Sequence, residues 1–191
     1  MAIVINGSGT VTGISVGGLP DAIVDDGTLA TDSVTAAKLK DDAIAVGDLP
    51  AGSVLQVVSA DIGVYTTSTA QDWADTNATI DITPQFTSSK IVCMFNFGIS
   101  MWGGDRLYGG VRLVRDDSVI SGGATEVINF RDLYDDYEAL IPVAINFVDS
   151  PGVTSSTTYK IQIYAYSGLS IQLLGQGNTR PGHMILMEVA G

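Results

Sequence analysis

The sequence predicts an all-β protein: an antiparallel, jelly-roll-like β-sandwich over residues 54–191, preceded over residues 1–53 by an extended, repeat-containing stalk. Three observations lead there. Residues 54–191 break into short β-branched and aromatic runs separated by Gly, Pro, Asp and Ser, the punctuation of strands and hairpins. No βαβ alternation and no twelve-residue amphipathic helix interrupts those runs. Finally, every aromatic residue lies at or beyond Tyr65, so the leading segment lacks side chains that a core of its own would recruit.

The leading segment carries apolar residues on a five-residue beat: Ile14, Leu19, Val24, Leu29, Val34, Leu39, Ile44, Leu49 and Val54. Steps of five turn an α-helix by roughly 140°, which scatters the side chains around its axis. In a strand, odd steps alternate faces. A single-chain solenoid with four beats per coil would have barely two coils, too few for a continuous core. A stalk of several copies, each supplying neighbours to the others, is the better solution. Burial of one anchor is worth roughly 1.5–3 kcal/mol, whereas ordering each backbone residue costs about 1–2 kcal/mol, so a lone thin chain cannot hold itself in order. "SVTAAKL" allows one helical turn capped by Ser33 or Thr35. "LPAGSVLQVV" marks the boundary, with Pro50 and Gly52 before a β-branched run.

Strands are expected near 54–59, 62–68, 78–83, 90–99, 107–115, 126–131, 141–148, 158–166, 169–174 and 183–189. "YKIQIYAYSG" alternates Tyr159, Ile161, Ile163 and Ala165 against Lys160, Gln162, Tyr164 and Tyr166, the signature of a half-buried strand. "SSKIVCMFNFGIS" is more continuously apolar and reads as a central strand. "TPQFTSS", "RDDS", "DSPGVTSS" and "YSGLS" supply the turns.

Charge and residue inventory restrict the chemistry. Nine Lys and Arg against 21 Asp and Glu give a net charge of −12, which repels nucleic acid and anionic membranes. No apolar run reaches the roughly 18 residues of a membrane span, so no membrane insertion is expected. "MAIVINGSGTVTG" lacks the basic start of a signal peptide, which implies synthesis in a cytoplasm. Cys93 is the only cysteine and His183 the only histidine; neither has an identifiable catalytic or metal-binding companion, and no cofactor is expected. "RDLYDDYEAL" interleaves Asp132, Asp135, Asp136 and Glu138 with Tyr134 and Tyr137. Solvated loop, recognition surface and cation site are all open to it, and paired carboxylates are also what glycosidases use. "SMWGGDRLY" offers a second contact surface through Met101, Trp102, Asp105 and Tyr108. Arg112 and Arg115 are expected to pair with neighbouring carboxylates.

"INGSGTVTGISVGGLPD", "DSVTAAKLKDDAI", "GSVLQVVSA", "ITPQFTSSKIVCMFNF", "VRLVRDDSVI", "NFVDSPGVTSSTTYKIQI" and "MILMEVAG" together resemble bacteriophage tail-fibre and related virion fibre proteins. The resemblance spans the chain. It implies a homotrimer located in the virion, with residues 1–53 attached to other virion proteins and residues 54–191 exposed to the host. It implies no enzymatic activity. Ser88–Ile91 and Thr157–Ile161 would be framework, and Met101–Tyr108 and Asp132–Glu138 candidate loops for a host-surface receptor, a glycan or a protein. Two other functions fit the same residues: a polysaccharide depolymerase using paired carboxylates, and a non-adhesive decoration or cement protein.

Overall fold

Period-two alternation of inward apolar and outward polar side chains builds the second of the two units into which the chain divides, Met1–Ala45 and Val46–Gly191. The computed structural model describes residues 31, 34–35, 39–40, 43–103, 107–120, 128–133 (backbone), 139–166, 168–175 and 182–191. Its strands are β1 (Val54–Ile62), β2 (Thr66–Ser68), β3 (Ala74–Ile82), β4 (Lys90–Trp102), β5 (Leu107–Arg115), β6 (Ser118–Val119), β7 (Ile128–Leu133), β8 (Ala139–Asp149), β9 (Thr157–Ala165), β10 (Ser170–Leu173) and β11 (Gly182–Val189). A 3₁₀ turn, Val46–Asp48, precedes them.

Among the described residues all pairings are antiparallel, in two sheets. The first has the order β1-β11-β4-β8, and β10 follows β11 along the same edge of β4, with β2 beyond it. The second has the order β3-β9-β5, and β7 and β6 share the free edge of β5. With the three short strands β2, β6 and β10 set aside, eight remain. Numbered along the chain, they stand in the orders 1-8-3-6 and 2-7-4-5. That is the order produced when one long antiparallel hairpin, pairing 1 with 8, 2 with 7, 3 with 6 and 4 with 5, rolls up into two layers: a jelly roll.

Between the layers lies a core that includes Phe95, Ile99, Leu113, Ile161, Ile163 and Leu186, all without exposed surface. Cys93 is sealed in the same core, and burial pushes its thiol up to about 12. Two polar clamps accompany the apolar packing. At the first, Asp149 at the end of β8 accepts from the Tyr159 hydroxyl (2.7 Å) and Arg115 Nη1 (2.6 Å), tying the two sheets together. At the second, buried Glu188 accepts from Gln56 Nε2 (2.5 Å) and the Gln85 N–H (2.7 Å). Arg115 thus has the carboxylate partner expected of it.

Several elements differ from expectation. The run 62–68 is two strands, because the chain leaves β1 at Gly63 and re-enters a sheet at Thr66. β3 starts at Ala74, where small inward residues disguise the alternation; inward Thr76 is satisfied by donating to the Ile161 carbonyl at 2.7 Å. β4 runs on to Trp102, and β6 had no forecast.

The expected anchors Ile14, Leu19, Val24 and Leu29, and the helical turn in "SVTAAKL", lie outside the described residues. Val34, Leu39, Ile44, Leu49 and Val54 are exposed, from 37% at Leu49 to 56% at Ile44. At the entrance to β1, Gly52 has φ 89° and its N–H donates to the Ala190 carbonyl at 2.8 Å. The left-handed backbone there accounts for glycine in "PAGS".

Candidate functional site

The outward face of β3, β9 and β5 gathers aromatic and polar side chains into one cluster. Strand alternation turns Tyr164, Gln162 and Lys160 outward on β9, and Tyr108 and Arg112 outward on β5. Register then sets them side by side. Arg112 faces Gln162, which faces Asp75, while Tyr164 faces Gly110, a position with no side chain to crowd its ring. Trp73, just ahead of β3, lies 5.6 Å from Tyr164 between ring centroids. The Arg112 guanidinium sits 4.4 Å from the Trp73 centroid, a cation–π contact. At the end of the row, Tyr108 and Tyr166 meet edge-to-face at 5.1 Å.

A polar chain runs beneath the rings. Arg112 Nε donates to Gln162 Oε1 (2.6 Å), Gln162 Nε2 donates to Asp75 Oδ1 (2.6 Å), and Lys160 Nζ reaches Asp75 Oδ2 (2.9 Å). The amide of Gln162 and the ammonium of Lys160 hold the Asp75 carboxyl below its ordinary value. Partial burial draws the Arg112 guanidinium down from its own. Such an arrangement fixes the rings and the guanidinium before any ligand arrives. It combines flat apolar surfaces, suited to the C–H face of a sugar ring, with directional donors and acceptors suited to hydroxyls.

The structure divides the residues expected at a receptor site. Met101 is corrected to a core residue: it is fully buried, and its methyl fills the space beside Gly109 that a Cβ there would need. Trp102 is half-buried at the end of β4, opposite Ser170. Tyr108 belongs to the aromatic cluster. Asp132 is on β7 and only its backbone is described; Asp105, Tyr134, Asp135, Asp136, Tyr137 and Glu138 lie outside the described residues. The residues flanking both stretches are nonetheless paired, Met101 with Ala139 and Leu107 with Leu133. Both connections therefore leave and return at the end of the sandwich where Tyr108 and Tyr166 stand.

Trp73, Asp75, Tyr164 and Tyr166 were not singled out from the sequence as site residues. The signal for Tyr164 and Tyr166 was present in the alternation of "YKIQIYAYSG", but only strand order brings Trp73, Asp75 and β5 alongside it. His183, exposed on β11, has Asp61 Oδ1 at 2.7 Å. Among the described residues no group of three or more His, Cys, Asp or Glu is placed to hold a metal ion. No helix among them is long and apolar enough to cross a membrane.

No protein-family model matches the chain, and no curated protein matches it. Among solved structures, the D431N mutant VP2 protein of infectious bursal disease virus, in derived T=1 particles, aligns at 16% identity and a TM-score of 0.36, covering 71% of this chain and 36% of that one. The T13 viral particle of the same virus aligns at 14% identity and a TM-score of 0.35 with the same coverage. This chain spans about a third of the length of those proteins. At such values the likeness carries no argument about function.

Proposed function

We propose that the chain is the subunit of a homotrimeric virion fibre that attaches to a host-cell surface glycan through the outward face of β3, β9 and β5. Residues 1–53 form the stalk of this fibre, with the five-residue anchors meeting on a shared axis, and join it to other virion proteins. The observation that carries the adhesive reading is the pre-ordered cluster of Trp73, Tyr164, Arg112 and Gln162. Its sequence support is the fibre-like phrasing along the whole chain. Adhesion requires no turnover: three weak sites held on one particle raise apparent affinity by roughly 10²–10⁴.

Binding of the purified full chain to a bacterial-glycan array tests this. The expected result is retention on a subset of glycans that drops at least about tenfold in Trp73→Ala, since stacking on one ring is worth roughly 0.5–1.5 kcal/mol beyond area burial and the Arg112 contact is lost with it. Release of new reducing ends would instead identify a depolymerase. Firm association with virions and no glycan signal would identify a decoration protein.

A further inference from the structure

The opposite face of the sandwich has a different character. On the outward side of β1, β11, β4 and β8, register aligns Val57, Met187, Val92 and Val148 in one row across all four strands. The next row adds Ile185 and Met94. Val57 and Val148, at the two margins, are each 56% exposed. A belt of this extent on a sheet face marks an interaction surface.

We infer that this belt is where copies of the chain meet, so that its occupant is a second copy of the same sheet. Three observations select that occupant. The first is charge. Both rows are free of carboxylates in a protein of net charge −12, while the opposite side carries exposed Asp75, Asp81, Asp116 and Asp117. Copies approaching belt to belt bring apolar surface together and keep the carboxylates of the other side apart, while Asp61, one row beyond the belt on the same face, has His183 beside it. The second is shape. Copies of one sheet share one hand of twist, so the same face of three copies can close around the shared axis of the trimer proposed above. The third is continuity. The series of five-residue anchors ends at Val54, half exposed and three residues before Val57 on the same strand. Val54, paired with Val189 on β11, thus lengthens the apolar face that a single copy leaves uncovered. The inference shares with the proposed function the premise that copies associate; it does not need adhesion.

Sedimentation of the full chain in dilute solution tests it. The unaltered protein should sediment at a fixed multiple of 19.9 kDa. Val57→Asp/Val148→Asp should weaken association at least about tenfold while retaining its β-sheet circular dichroism. Asn77→Asp/Thr79→Asp, on the other face, should leave the mass unchanged. A second variant guards against misfolding. In Val148→Cys the introduced thiol is the accessible one, because Cys93 is buried, and it should react with a thiol reagent at least about tenfold more slowly in the assembly than after dilution to single copies. Wild-type mass in the double Asp variant, or rapid labelling within an intact assembly, would overturn the inference. A monomeric wild-type protein would overturn it too, yet leave glycan retention to be judged separately.

Discussion

Glu188 shows how a carboxylate can be buried without being wasted. Burial alone would raise its pKa, but the Ser89 hydroxyl, the Gln56 amide and the backbone N–H groups of Gln85 and Phe86 outweigh that and leave it below the ordinary value of 4.5. A depressed folded-state pKa means stability that is present above the unfolded value and lost as pH falls through the folded one. Glu188→Gln should therefore be less stable than wild type by about 1.5–3 kcal/mol at neutral pH, the scale of a hydrogen bond to a charged group. That gap should close in acid, as the pH falls through the depressed folded-state pKa and protonation removes the same charge from wild type. Denaturant titrations at both pH values check this, and a gap that persisted in acid would contradict it. At this scale the sequence was legible where local chemistry decides. Arg115 found its carboxylate, whereas Met101 misled because a continuous apolar run does not announce where its strand ends. Three further residues of β4 turned that side chain inward.

Strands were legible wherever apolar and polar residues alternate cleanly, as in β9, and blurred wherever small residues take the inward positions, as in Ala74, Thr76 and Ala78 of β3. Gly109 on β5 illustrates what a small inward residue does. An added Cβ would lie 2.6 Å from the Tyr164 carbonyl oxygen and 2.8 Å from the Met101 methyl. Alanine there reduces the entropy of the unfolded chain, a gain of at most about 1 kcal/mol, yet the carbonyl belongs to a paired strand and has nowhere to move. Overpacking of that kind costs about 1–3 kcal/mol. Gly109→Ala should lower the unfolding free energy by roughly that amount, and Met101→Ala in the same chain should restore only part of it. Full restoration would mean that the methyl, and not the backbone, sets the limit.

Across the whole molecule, strand order was the illegible part. Hairpin spacing reveals that strands exist, but a jelly roll joins its first strand to its last, and no local signal in β1 names β11 as its partner. The aromatic cluster was hidden for the same reason, since its members come from three strands separated by long stretches of chain. Assembly and recognition can be separated experimentally at this scale. The Val57→Asp/Val148→Asp variant keeps Trp73, Tyr164 and Arg112 intact, so under the proposed function a single copy should still bind a glycan while apparent affinity for a dense glycan surface falls by about 10²–10⁴. Equal retention of assembled and single copies on that surface would remove multivalency from the account. The two broad sides of each sandwich face opposite ways. If one side is turned toward sister copies, as proposed, the rings on the other point away from the axis those sandwiches share. An assembly of the proposed kind would grip along its flanks, and would be better matched to polymer strands threading past it than to a flat wall met head-on.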